Sequence, residues 1–251
     1  MKEAKTKLEW LEYDLLCEYP HVRHGVFSRH GGVSQGNCLG LNLGGDQSRD
    51  NPEHVKANRE LVRNILGVEH LVFANQNHGT IVHRVTAKNF QKIPQCDALF
   101  TTEREIGLAV THADCQAAIF YDPVHEAVAV AHAGWRGSAQ NLYGRLIDTM
   151  RRELGTQAHN VLVCISPSLC PDHAEFKNYR QELPSQFWPF QIKPNYFNFW
   201  AISKMQLTAA GILERNIETT DICTVCCPED YFSYRRAKDV GRNATVVALK
   251  G

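Results

Sequence analysis

The stretch THADCQAAIFYDPVHEAVAVAHAGWRG, Thr111 to Gly137, sets a thiol and an imidazole in two runs of small apolar residues. Cys115 and His132 are 17 positions apart. A thiolate and a neutral imidazole can share one metal ion, with bonds of about 2.3 and 2.0–2.1 Å. The same two groups can also act as nucleophile and base. Whether they meet depends on the strands that carry them. The runs around Asp122-Pro123-Val124-His125 read as a buried hairpin. With those four residues as the loop, Tyr121 faces Glu126, and Cys115 falls directly opposite His132. Their Cβ atoms would then lie about 4.5–5.5 Å apart.

Two ligands do not hold a metal alone. His78, in NQNHGT, is the best third, because Gly79 beside it permits a sharp turn and a close approach. A Cys/His/His trio leaves one tetrahedral position open, as in catalytic zinc sites. Asp114 directly precedes the thiol and could orient a ligand or carry a proton. From the residues alone, three readings stand: a metal centre, a Cys–His nucleophilic pair, or two core side chains.

The surrounding elements mix strands, hairpins and helices without strict alternation, which predicts a mixed α/β or α+β fold. A helix is predicted after Asn51, with Pro52 at its first position and Gly67 at its end. A second runs from a Ser138 cap through Leu142, Leu146, Met150 and Leu154, and a third spans Asn198 to Gly211. NVLVCISPSL and NATVVALK read as strands, and HLVFANQNHGTIVHRV as two strands or one interrupted at Gly79. No linker or repeat divides the chain. One domain over 1–251 is expected, with 1–20 as an N-terminal extension or edge element.

The chain has 251 residues, 43% hydrophobic and 22% charged, with zero formal net charge. That composition supports a substantial core. It argues against nucleic-acid or membrane-surface binding driven by bulk charge. No apolar run reaches the ~18 residues of a transmembrane helix. The charged start MKEAKTKLEWLEYDLLCEY does not read as a secretory signal. Nine scattered cysteines read as reduced thiols in a cytoplasm. Nucleotide-binding glycine motifs are missing.

The set QNHG, CDALFTTEREIGLAV with HADC, HAGWRG and FSYRR followed by GR resembles the YfiH-like family. That family is also called the multicopper polyphenol oxidase (laccase) family, and includes purine nucleoside phosphorylases and peptidoglycan editing factor. The resemblance runs from about His24 to Leu249. It implies a YfiH-like fold, with zinc held by His78, Cys115 and His132. It also implies phosphorolysis of adenosine, inosine and methylthioadenosine, and deamination of adenosine. Gln116 and Ala117 stand where members often have Leu-Pro, and Ala237 where an Asp is common. These departures leave the ligands intact and bear on substrate preference.

Phosphorolysis needs a phosphate site, and arginine forks suit phosphate. Arg29 in RHGG, Arg136 in GWRG and Arg242 in the late GR are the candidates, with Asn42 of LNLG as a substrate hydrogen-bonder. Arg136 would precede the Ser138 helix, whose free N–H groups favour an anion. Deamination needs a proton carrier, for which Asp114 and Glu175 are available.

Other motifs point elsewhere. His173-Ala174-Glu175 and the later Cys223/Cys226 pair imitate a zinc nucleobase deaminase, but Ile222 replaces the required proline. With no second matching CxxC, Cys223, Cys226 and Cys227 are read as buried thiols. Copper is disfavoured, because the sequence has no paired HxH motif and its internal methionines, Met150 and Met205, fall on predicted helices. A copper-dependent phenol oxidase, a Cys–His hydrolase and a peptidoglycan-precursor editing enzyme are the alternatives to the phosphorylase.

Overall fold

The computed structural model describes residues 7–251. Its strands are β1 (Trp10–Leu11), β2 (Val22–Phe27), β3 (His70–Phe73), β4 (Val82–Arg84), β5 (Ala98–Thr101), β6 (Ile106–His112), β7 (Gln116–Asp122), β8 (Ala127–Ala133), β9 (Leu162–Ile165), β10 (Gln191–Lys193), β11 (Tyr196–Phe197), β12 (Ile217–Thr219) and β13 (Asn243–Leu249). Five form one sheet in the order β1-β2-β13-β6-β3, and six form another in the order β12-β9-β7-β8-β5-β4. Both sheets are mixed: β3 runs parallel to β6, β4 to β5 and β12 to β9, while the remaining pairs are antiparallel. β1 forms one edge of the five-stranded sheet.

Side-chain alternation decides how the sheets stack, because successive residues of a strand face opposite sides. Ile106, Leu108 and Val110 of β6 share one buried cluster with Ile119 and Tyr121 of β7 and Val128 and Val130 of β8. Large side chains thus fill the space between the sheets. The intervening positions of β8, Ala127, Ala129, Ala131 and Ala133, pack with Leu142, Leu146 and Met150 of the helix Leu142–Leu154. Ala244, Val246 and Ala248 of β13 pack with Val62 and Leu66 of the helix Pro52–Leu66. The result is a helix–sheet–sheet–helix stack.

The helix at 52–66 starts and stops on its sequence signals. The Asn51 side chain accepts from Glu53 N, Pro52 occupies the first turn, and Gly67 takes a left-handed φ of 67°. The third helix, Phe199–Ala209, is likewise capped by Asn198, which accepts from Ala201 N. The middle helix departs from expectation. A short helix, Trp135–Ala139, comes first, and the longer one begins at Leu142. Asn141 separates them in a left-handed conformation, and its side chain caps Gly144 N. GWRG therefore enters a single turn of helix, and Ser138 is not the cap of the long one.

The hairpin register also differs from the sequence reading. Ala117, not Cys115, lies opposite His132. The cause is the turn. Asp122 accepts from Val124 N and His125 N, and Glu126 takes φ 44°, so the loop comprises 123–126 and the first pair is Asp122 with Ala127. The displacement is two positions. Because the side-chain period is also two, Cys115 and His132 keep the same face.

The alanine face of β8 lets the long helix lie close to the sheet. Ala129→Leu is expected to destabilise the protein by about 1–3 kcal/mol through overpacking, measured by denaturant unfolding.

Candidate functional site

Three chain segments meet at one end of the two-sheet sandwich. His132 lies near the end of β8, on the side-chain parity of Val128 and Val130. Cys115 follows β6 in a tight turn, where Asp114 takes φ 93°. His78 sits in the loop between β3 and β4 and is itself left-handed, with φ 61°. One potential ligand atom from each lies within 4.8 Å of the others. The two imidazole rings stand nearly perpendicular, with centroids 4.9 Å apart.

The loop carrying His78 is held by a residue that the sequence reading did not single out. Asp97, fully buried just before β5, accepts from Asn77 N at 3.2 Å, His78 N at 3.0 Å and Gly79 N at 2.7 Å. Three successive N–H groups converging on one carboxylate form an anion-binding nest. That contact offsets the ~1–2 kcal/mol cost of a left-handed non-glycine residue. The same carboxylate accepts from His132 Nδ1 at 2.9 Å. It therefore fixes the His132 tautomer and leaves Nε2 for a ligand. The available sequence signal was the Asp opening the apolar run ALF. Gln76 braces the loop from the other side by exchanging hydrogen bonds with the Thr111 backbone.

Gly134 is required for space. A Cβ there would stand 2.9 Å from His78 Cδ2 and 3.2 Å from Cys115 Sγ. This glycine, in HAGWRG, lets the chain leave β8 against the His78 and Cys115 side chains.

The charge states suit a metal. Burial alone would push the Cys115 thiol up, but hydrogen bonds from His132 and His78 outweigh it and bring it to about 6. Burial pulls His132 down, yet Asp97 and Cys115 raise it to about 9. Both shifts favour a thiolate at Cys115 beside an imidazolium at His132. A cation that displaced the shared proton would meet one thiolate and two imidazoles. That donor set could bind a metal.

The cluster opens into a cavity of about 1180 Å³. Of the predicted substrate residues, Asn42 and Arg242 line it, together with Phe73 and Tyr234. Arg242 Nη1 donates to the Val240 and Gly241 carbonyls, which fixes the guanidinium. Arg49, Lys56 and Arg59 also line the cavity and were missed. The signal for Lys56 and Arg59 was one cationic helix face in KANRE. Also at the cavity is His112, which burial and the nearby His132 hold neutral, down at about 3.

Other predicted residues lie elsewhere. Arg29 donates to the carbonyls of Pro228 and Leu39 and covers the Phe232 ring. Arg136 is exposed on the short helix, beside the Trp135 ring. Neither lines the cavity. Asp114 does not reach the ligand cluster. Its carboxylate accepts from Thr224 Oγ1 at 2.7 Å and Arg235 N at 2.5 Å, which pins the turn presenting Cys115. Glu175 pairs with Lys177 and is likewise outside the cavity.

The sequence profile of the multi-copper polyphenol oxidoreductase laccase family matches residues 23–250. The chain belongs to this family. It is 34% identical over 233 residues to a Streptomyces coelicolor purine nucleoside phosphorylase, covering 90% of this chain and 94% of the relative. It is 29% identical over 245 residues to a Bacteroides thetaiotaomicron purine nucleoside phosphorylase, covering 90% of each. Among solved structures, Bacillus licheniformis YfiH superposes with a TM-score of 0.87 at 28% identity, over 100% of this chain and 98% of that one. YlmD from Geobacillus stearothermophilus gives 0.86 at 26% identity, with the same coverage. The mixed α/β single-domain fold of this chain is the family's fold, and relatives of this kind support an enzyme.

Two outcomes follow from the site's geometry. In metal-free protein, alkylation of Cys115 should reach half its maximal rate near pH 6 rather than near 9, because only the thiolate reacts; peptide mass spectrometry reads the modified residue. Asp97→Asn should weaken metal binding by about 10–100-fold, measured by competition with a chromogenic chelator.

Proposed function

We propose that the protein is a zinc-dependent purine nucleoside phosphorylase with adenosine deaminase activity. The observation that carries the reading is the shared cavity, where the His78/Cys115/His132 cluster faces a space with Asn42, Arg242 and two aromatic walls. The volume suits a nucleoside and phosphate together. The names of the relatives supply the reaction class.

His78, Cys115 and His132 would hold the zinc. When bound, zinc supplies Lewis-acid stabilisation of developing negative charge and lowers the pKa of water for deamination. The chain's own groups supply the rest. Phe73 and Tyr234 offer apolar surface to a purine. Asn42 spans the cavity wall: its Nδ2 donates to Asp50, and its Oδ1 accepts from Gly44 N and Arg242 N. It acts by setting the backbone at Arg242. Arg242 provides positive charge for phosphate, supported by Arg49, Arg59 and Lys56 around the same opening. Neutral His112 provides a hydrogen-bonding group that needs no countercharge. Asp97 keeps the His132 proton on Nδ1, and Asp114 holds Cys115 in place, a positioning role in place of proton transfer.

Two His and one Cys also suit a blue-copper site, but neither Met150 nor Met205 lines the cavity to serve as its axial ligand, which favours zinc. A trinuclear copper site needs many imidazoles, and this cluster has two. One observation favours a second reading. The depressed Cys115 thiol beside His132 is also what a Cys–His hydrolase requires. A covalent Cys115 adduct in active, metal-free protein would support that alternative.

Purified, zinc-loaded protein given adenosine and phosphate is expected to release adenine, ribose 1-phosphate and inosine, resolved by liquid chromatography. Cys115→Ala should lower turnover by at least ~10²-fold. No product from loaded protein, or a variant as active as the parent, would overturn the reading.

A further inference from the structure

Of the three cysteines read as buried thiols only Cys223 is buried, Cys226 being exposed, and these two belong to a second cluster. Cys170, His173, Cys223 and Cys226 bring one ligand atom each within 4.8 Å of one another. His173 Nδ1 lies 3.2 Å from Cys170 Sγ, 3.5 Å from Cys223 Sγ and 3.6 Å from Cys226 Sγ. In a tetrahedral zinc site with ordinary Zn–S and Zn–N bonds, the N···S edge is about 3.5 Å. The three N···S separations thus already approach those of a tetrahedral site, and the sulfurs lie within 4.8 Å of one another.

We propose that these four residues bind zinc as a closed Cys₃His structural site, separate from the cluster in the cavity. The sequence supports this pairing once the partner motif is seen. Cys170-Pro-Asp-His173 is a C-x₂-H turn, and Cys223-Thr-Val-Cys226 is a C-x₂-C turn. The chain has no second CxxC because the matching half ends in histidine. The two turns are held face to face by the backbone bridge between Ser168 and Cys223. Cys170 N donates to Cys223 Sγ at 3.4 Å, as backbone amides do toward a ligating thiolate. Cys170 and His173 are half-buried, Cys223 is buried and Cys226 is exposed, so an ion can enter from the Cys226 side. The neighbouring Cys227 is not in the cluster and packs against the inter-sheet core. Four protein ligands leave no open position, which distinguishes a structural zinc from a catalytic one. Binding releases the thiol protons to solvent.

The consequence reaches the cavity. The first turn follows Leu169, whose N–H donates to the Asp114 carbonyl at 3.1 Å. The second contains Thr224, whose hydroxyl donates to the Asp114 carboxylate. A metal joining the turns would lock both supports of the residue that precedes Cys115.

The test is metal stoichiometry and X-ray absorption on the full-length protein, purified anaerobically and saturated with zinc. The wild type should retain two zinc ions per chain after desalting. Cys115→Ala should retain one, with an absorption spectrum fitting three sulfurs at about 2.3 Å and one nitrogen at about 2.0 Å. Cys226→Ser should lose that ion and unfold at lower temperature, while Cys227→Ser keeps it. The proposal fails if Cys115→Ala binds no zinc, if its spectrum lacks the three-sulfur shell, or if two of the three cysteines are recovered as a disulfide without zinc. The Cys115→Ala result decides the matter even if Cys226→Ser does not fold.

Discussion

The Asp97 carboxylate is the constraint on which the cavity site depends. It is buried, and a buried carboxylate without donors would cost several kcal/mol. Here four N–H groups surround it: three from the backbone of 77–79 and one from the His132 ring. One side chain thereby fixes a loop from outside the sheets and a ring at a strand end. It sets both imidazoles of the trio. Cys115 is fixed by a parallel device, since Asp114 is left-handed and tied to Thr224 and Arg235. Two carboxylates, Asp97 and Asp114, thus shape the turns that present His78 and Cys115 to His132.

The sandwich explains why the site lies where it does. The gap between sheets is filled by Leu, Ile, Val and Tyr along most of its length. Toward the ends of β6 and β8, the same side-chain parity carries His112 and His132. The apolar filling stops there, and the loop with His78 and the turn with Cys115 close over that end. Polar chemistry is confined to the margin of a packed core, where it can meet solvent and substrate through the cavity.

Much of this was legible in the sequence. The capped helices at 52–66 and 199–209 were readable because Asn caps and glycine stops act locally. The strand pattern and the three residues of the cavity cluster were readable from short apolar runs and from the family motifs. The exact partner of His132 was not, because register depended on how Asp122 and Glu126 shape a turn. The break at Asn141 was hidden for a similar reason, as its left-handed backbone interrupts an otherwise continuous helical pattern. Arg29 and Arg136 looked like phosphate ligands by motif alone, but neither lines the cavity. Asp97 and the Cys170–His173 turn depend on contacts between distant segments, which spacing along one segment does not reveal.

Anomalous scattering at the zinc edge, from crystals of the native protein soaked with a purine nucleoside, tests the central claim most directly. The account predicts a peak bounded by His78, Cys115 and His132, with the nucleoside in the cavity between Phe73 and Tyr234. A nucleoside bound elsewhere, or no anomalous peak among those three residues, would contradict it.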